Sequence, residues 1–459
     1  MALGTASAAP TKEFFVRTLI RDISLDDCVL DLVDNSIDSA RNSVDRASDD
    51  GEERTHPYQL AITGELAHFE IDLTINEDEF LITDNCGGIT FDDAVESAFT
   101  FGRLTEEQYD DWSVGVYGIG MKRAIFKLGE YIEIISTHSE PEESEQPESF
   151  AVQINVPSWL LENRDSWDFD IVEADPLPAP GVSIRIPQLT SETRARFQDP
   201  AYVGSLRRTL ARIYMLPLMQ GLQIRVNDEP IVGRRLVLRS DENFTPMRDS
   251  YTEGAVHVEL LAGMISPPPD DISPDESARG DRDSGWYVVC NGRVVVDADR
   301  TTLSGWGEDR LPRWHYQYTG FVGVAIFSSQ DASALPMTST KRGVDTSAPV
   351  YRRALIRMYD PTRAWIDYTN ARKEDLARSR ILEAAARSVE ISYVQPSASV
   401  RLPSPTKRPT ERVANVNYSV PLTRMRRLAR AFGNANMPFR EVGIRAFDYA
   451  FEFEAKDDE

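Results

Sequence analysis

The chain has little that would cross-link it or let it hold a metal by itself. It contains three cysteines, Cys28, Cys86 and Cys290, and only five histidines in 459 residues. An odd number of widely spaced thiols builds neither a disulfide framework nor a Cys-x-x-Cys metal site. Scattered histidines give no zinc-ligand spacing. No run of about eighteen apolar residues occurs, which excludes a transmembrane helix. Met1–Pro10 lacks the positive segment and apolar length of a secretion signal. Together these absences lead us to expect a cytoplasmic protein that binds no membrane. Positive charge is also short: 50 Lys and Arg against 74 Asp and Glu leave a net charge of −24. Such a chain repels polyanions as a whole, so nucleic-acid binding requires a segregated basic patch.

One such patch exists. Arg401, Lys407, Arg408, Arg412, Arg424, Arg426, Arg427 and Arg430 face only Glu411 in the stretch Arg401–Arg430. Within it, Leu422, Met425, Leu428 and Phe432 fall on one helical stripe with the arginines around them. The plainer reading is a packed helix with a basic outer face. The alternative is a site for nucleic acid or for an acidic protein partner.

Hydrophobic residues make up 41% of the chain, enough for two or three domains each with a core. Periodicity predicts a long helix over 26–47, then strands over 68–75 and 79–84 joined by a tight turn. A helix over 91–99 follows, then a glycine-rich loop over 113–120 that opens a helix over 121–128. Strands are expected at 131–137, 150–156, 169–173 and 182–186, and a helix at 205–216. A strand-rich region spans 222–326 and a helical one 350–390. The proline-rich stretch 395–410 reads as a linker, and 418–459 as a small module. Mixed helices and strands in this order predict an α+β class with a mixed or largely antiparallel sheet.

Three motifs carry chemistry. In Asp31-Leu-Val-Asp34-Asn35-Ser-Ile-Asp38-Ser-Ala40, the side chains of Asp31, Asn35 and Asp38 lie within about 60° of one another on a helix. Val29, Val33, Ile37 and Ala40 share the opposite side. Thr83-Asp84-Asn85-Cys86-Gly87-Gly88 ends an apolar strand with an acceptor for an exocyclic amine, followed by a flexible turn. Gly115-Val-Tyr-Gly118-Ile-Gly120-Met-Lys122 opens a helix whose N–H groups are able to cradle phosphates. It neither follows a strand nor opens a βαβ unit, so a dinucleotide-binding reading fails its own context.

In this order the three motifs resemble those of the GHKL ATPase superfamily: gyrase, the large heat-shock chaperone, histidine kinases, MutL and the MORC proteins. DLVDNSIDSA is nearest to the helix motif of MORC and the chaperone. The resemblance implies a Bergerat α/β sandwich with a mixed sheet over 1–215, a transducer-like α/β domain over 216–348, and a helical segment, linker and basic module over 349–459. It further implies Mg²⁺-dependent binding of ATP as substrate. Asn35 would offer its amide oxygen to the metal, and Asp38 lies on the same ridge. Asp84 would read the adenine amine, with Gly88 admitting the ring. Gly115, Gly118, Ile119, Gly120 and Lys122 would form the lid over the phosphates. Asp31 stands where the chaperone and MORC carry the glutamate that orients the attacking water. Lys341, with Arg342 in reserve, matches a loop residue that reaches the γ-phosphate from the second domain.

Three positions depart from the family pattern. Asp31 is one carbon shorter than glutamate, about 1.5 Å of reach. Cys86 replaces a glycine. Val182 lacks the hydroxyl that the family presents to adenine, and Ser183 points to the other face of its strand. The implied function is a slowly hydrolysing ATPase that acts as an ATP-gated, dimerising switch in DNA-related or antiviral processes. A non-hydrolysing ATP-sensing scaffold is the alternative. A histidine kinase fits less well, because His56, His68, His138, His257 and His315 offer no phosphoacceptor helix ahead of the domain.

Overall fold

Alternating apolar residues at 70–75 and 80–84 form the hairpin around which the first sheet is built. The computed structural model describes residues 11–47, 65–101, 112–115, 118–139, 148–161, 167–270, 283–308, 310–403 and 416–454. Strands β1 (Glu70–Ile75) and β2 (Phe80–Asp84) pair antiparallel, and every second residue of each is buried. β3 (Gly129–His138), β4 (Glu148–Asn155), β5 (Ile171–Glu173) and β6 (Gly181–Leu189) extend the sheet on the β2 side. β7 (Gln223–Val226), parallel to β1, and β8 (Glu229–Pro230) extend it on the other. The order is β5-β4-β3-β6-β2-β1-β7-β8, a mixed sheet as expected. It continues past residue 215, because β7 fills the edge that β1 would otherwise leave unpaired.

Helices α1 (Leu25–Ala47) and α2 (Gly120–Leu128) pack on one another and on this sheet. Val29, Leu30, Val33, Ile37 and Ala40 of α1 are buried in a core shared with Ile71, Leu73, Ile82, Ile134 and Ile184. Apolar packing of this kind fixes the polar side of α1 toward the glycine loop. Helix α3 (Pro200–Ile213), capped by Asp199 and begun by Pro200, closes the layer and leads back into the sheet at β7.

Within the same compact unit, Met1–Pro405, a second region (the second domain) opens with the short strand β9 (Val237–Ser240). Its main sheet contains β10 (Met247–Glu253), β11 (Val256–Met264), β12 (Gly285–Cys290), β13 (Arg293–Asp299) and β14 (Phe321–Ser328), in the order β10-β11-β14-β12-β13. Every residue of β12 and β14 is buried, as befits central strands covered on both faces. Trp286, Val288 and Cys290 point to a core shared with α4 (Pro349–Ala371), whereas Tyr287 and Val289 point to the other, with Leu236, Leu238 and Ile391. A two-stranded ladder of β9 and β15 (Arg387–Glu390) borders that second core. β12 and β13 meet in a two-residue turn, Asn291-Gly292, where both φ angles are positive, as such a hairpin requires.

Part of the expected linker is not one. Ser397 pairs with Arg248 and Arg401 with Thr245, so 395–403 adds short bridges to the second domain. The remainder, with Lys407, Arg408, Glu411 and Arg412, lies outside the described residues. Residues 406–459 form a compact unit of their own. Its helices α5 (Leu422–Ala431) and α6 (Phe439–Glu454) meet through Ala429, Met437 and Val442, with Met425 and Phe432 beside them. Leu422 and Leu428 of the predicted stripe stay exposed, as do Arg424, Arg426, Arg427 and Arg430. No described helix is long and apolar enough to cross a membrane.

Candidate functional site

α1 supplies the site, and four of its polar residues, Asp31, Asp34, Asn35 and Asp38, have four different environments. Asn35 is exposed, and among the described residues no hydrogen bond engages its amide. Asp38 is buried and accepts the backbone N–H groups of Val114 and Gly115, at 3.1 and 3.3 Å. Its carboxylate therefore anchors the start of the glycine loop. Asp31 accepts Lys341 Nζ at 3.1 Å. Asp34, one turn on and fully buried, is the centre of an ionic cluster.

That cluster draws on three separated stretches of chain. Asp34 accepts the Tyr214 hydroxyl at 2.8 Å, Lys341 Nζ at 2.8 Å, and the Arg293 guanidinium. The side chains of Asp34 and Arg293 are 1% and 2% exposed. Burial works to raise the Asp34 pKa, yet the Arg293 and Lys341 cations outweigh it and hold the carboxyl below the usual range. Burial likewise opposes the charge of Lys341, but Asp34 and Asp31 more than offset it and its pKa is raised. Tyr214 is pushed well up, by burial first and Asp34 second, so it remains a neutral donor. Lys341 itself sits at φ +56, a left-handed conformation uncommon for a non-glycine residue and held here by its ion pairs. Arg342, beside it, pairs with Asp27 and donates to Ser24 at 2.7 Å.

The glycine loop is described at its two ends, residues 112–115 and 118–120. Gly118 has φ +62, and α2 starts at Gly120. A Cβ at Gly120 would lie 3.4 Å from the Asp31 carboxyl, an ordinary contact, so the positive end of α2 starts beside that carboxylate. Ile119 is the residue before α2. Lys122 is buried and donates to the Ala98 carbonyl at 2.9 Å, which directs it into the fold. The second domain also holds the loop: the Asn291 amide donates to Ser113 O at 2.9 Å, and the Trp112 N–H to Gln330 O at 3.2 Å.

Asp84 ends β2 in a buried position. One oxygen accepts the Ser36 hydroxyl at 2.6 Å, the other the N–H groups of Cys86 and Val182 at 3.0 and 3.2 Å. Burial raises its pKa against these three hydrogen bonds. Ser36 thus places a hydroxyl on Asp84 where Val182 has none to offer. The Val182 side chain packs against the core instead. Gly88, at φ +75, is required by the fold itself: a Cβ there would meet Thr137 O at 2.1 Å. Gly181 is pressed in the same way onto Asp84 O, at 2.0 Å. Cys86 is buried, and burial with the neighbouring Asp84 raises its pKa well above the ordinary thiol value. Such a thiol is inert.

The arrangement matches a known class. Residues 23–175 fit the family model described as histidine kinase-, DNA gyrase B-, and HSP90-like ATPase. This stretch is a GHKL-type ATPase domain. No curated protein matches the chain. The matched span of the GHKL-type domain contains α1, the Asp84 turn, the glycine loop and α2, but neither Tyr214, Arg293 nor Lys341. An exposed amide oxygen at Asn35 fits a hard cation that keeps waters and arrives with phosphate oxygens. Among the described residues no group of three His, Cys, Asp or Glu side chains is placed to hold a metal unaided.

Sequence reasoning singles out Asp31, Asn35, Asp38, Asp84 and Lys341, and the fold brings Lys341 onto Asp31 across 310 residues. It passes over Arg293, Tyr214 and the hydroxyl row of α1. The signal for that row is present: Ser36, Ser39 and Ser43 recur at helical spacing, and Ser39 and Ser43 both donate to Cys86 O, at 2.8 and 2.9 Å. The signal for Arg293 is indirect. Asp34 borders the apolar side of α1, and a carboxylate buried there demands a cation from elsewhere in the chain.

Proposed function

We propose that the chain binds Mg·ATP in the GHKL-type domain and hydrolyses it slowly, and that nucleotide binding drives a dimerising conformational switch. The observation that carries this reading is Lys341, which leaves the second domain to end between Asp31 and Asp34. A cation at the end of a loop, beside the residue expected to orient water, suits charge that develops on a transferred phosphoryl group. Asn35 would hold the metal, which when bound neutralises phosphate charge. Asp84, supported by Ser36, would accept the adenine amine. The N–H groups at the start of α2 would meet phosphate oxygens. Asp31 would then accept a proton from the attacking water once Lys341 turns toward phosphate. DNA-related or antiviral work is the setting that the resemblance to MORC proteins suggests.

One observation favours the non-hydrolysing alternative: Asp31 is short, and its Oδ1 is already occupied by the Lys341 ammonium group at 3.1 Å. A phosphate-release assay separates the two. Asp31→Ala should keep ATP affinity and lose turnover, because a water-orienting group acts mainly in the transition state. Turnover equal to wild type removes Asp31 from the mechanism. Absence of turnover in the wild type, with ATP still bound, establishes the sensing scaffold.

A further inference from the structure

Two carboxylates of α1, Asp31 and Asp34, face two cations of the second domain, Arg293 and Lys341. The four charges balance, but they are not equivalent. Asp34 is the deeper acid, and Arg293 the deeper base. Tyr214 further ties Asp34 down, sharing its one hydroxyl proton between Asp34 Oδ1 at 2.8 Å and Leu30 O at 2.9 Å. Arg293 follows the rigid Asn291-Gly292 turn, and Asn291 is itself held by Ser113 and Ser329. Lys341, in contrast, lies on a loop between β14 and α4 and divides its ammonium group between two acids.

We propose that Arg293 is a positioning residue for the ATPase reaction: it neutralises Asp34 permanently, so that Lys341 is left exchangeable between Asp31 and a phosphate. The inference rests on the function proposed above. A buried carboxylate without its own cation is strongly destabilising, and it captures whichever cation can reach it. Without Arg293 that cation is Lys341, which would then be locked on Asp34. The guanidinium suits the static role, since it stays charged and is more weakly hydrated than an ammonium. The ammonium on its flexible stem suits the mobile role. The same ion pair pins β13 to α1 whether or not nucleotide is present, so the second domain is docked in advance and only the Lys341 loop needs to move.

The test uses the full chain with Arg293→Met and the double variant Asp34→Asn/Arg293→Met. For the single variant, affinity for a non-hydrolysable ATP analogue should stay within about threefold while turnover falls about tenfold or more. The double variant should regain most of that turnover, because the neutral amide at position 34 no longer competes for Lys341. Loss of packing alone gives no such recovery. A double variant no faster than the single one overturns the proposal, as does a single variant with wild-type turnover. Hydrogen exchange supplies a readout that needs no activity. In the wild type, residues 290–294, which carry Arg293, should be protected equally with and without the analogue. Protection that appears only with the analogue overturns the permanent dock. A wild type that binds ATP without turnover would sink the hydrolytic reading, yet leave the exchange result to decide the dock. Should Arg293→Met fail to fold, the double variant decides: it should fold, and if it is unfolded as well, charge balance is not the role of Arg293.

Discussion

Asp34 and Asp84 are both buried acids of one site, and their environments push them in opposite directions. The folded-state pKa of Asp34 is depressed by Arg293 and Lys341. Its contribution to stability is therefore present above the ordinary carboxylate range and is lost as pH falls through the depressed value. The Asp84 pKa is raised by burial, so its contribution runs the other way: it is present at low pH and lost as pH rises through the raised value. Substituting each acid by its amide should separate them. Asp34→Asn leaves the buried Arg293 without its carboxylate, while Lys341 keeps Asp31, and should cost about 3–5 kcal/mol in denaturant unfolding at neutral pH. Asp84→Asn should hold or raise the melting temperature, since Ser36 can turn to accept from the new amide. The same change should weaken ATP by about 1–3 kcal/mol, the cost of losing a charged partner for the adenine amine. Calorimetry and thermal melting on the same sample check both halves, and equal ATP affinity in wild type and Asp84→Asn would remove Asp84 from the site.

At the scale of elements, α1 acts as the beam on which the site is laid out. Its apolar side sets its rotation, and its serines fasten it to the turn after β2. Ser36 binds Asp84, and Ser39 and Ser43 share the Cys86 carbonyl. Ser39→Ala/Ser43→Ala together should lower unfolding free energy by about 1–3 kcal/mol, at about 0.5–1.5 kcal/mol for each hydrogen bond. ATP affinity should fall with it, because the turn that carries Asp84 is no longer held. Chemical denaturation and ATP titration measure the pair; a loss of stability with full affinity would show that α1 need not hold the turn to read adenine. The close approach of β6 to β2 is as demanding. A Cβ at Gly181 would meet Asp84 O at 2.0 Å, so Gly181→Ala should disrupt the pairing of these strands and abolish ATP binding.

The whole molecule has two further properties to test. Docking of the second domain on α1 and on the glycine loop gives nucleotide a route from its site to the rest of the chain. Light scattering should therefore show mass rising toward that of a dimer when a non-hydrolysable analogue is added, and Lys341→Ala should blunt the rise. A mass unaffected by the analogue at micromolar protein would count against the switch. In the unit formed by 406–459, Arg424, Arg426, Arg427 and Arg430 are exposed on α5. If they bind a polyanion, affinity should fall steeply with salt as counterions are released, and reversing the charge of Arg424, Arg426 and Arg427 should abolish it without changing unliganded turnover. Fluorescence anisotropy with DNA, paired with melting curves, decides the matter: no binding at about 50 mM salt ends the nucleic-acid reading. A drop in melting temperature for the reversed variant would instead assign the arginines to packing.

Local pattern was enough for the parts of this protein that are local. The period of about 3.6 residues in 26–47 marks α1 and its two sides, and alternation marks β1 and β2, because side-chain direction follows backbone geometry alone. The order of three short motifs was enough to indicate the GHKL-type domain. What only the tertiary structure decided is where distant charges meet. Nothing near Asp34 in the chain shows that Arg293, 259 residues away, neutralises it, or that Tyr214 donates to it. Equally, Lys122 carries the charge a phosphate site wants, yet its reach is taken by Ala98, and the glycine at 88 answers to a neighbouring strand. The reason is physical. A helix or strand signal depends on neighbours a few residues apart, whereas a buried charge is satisfied by whichever partner the packing of sheets and helices delivers.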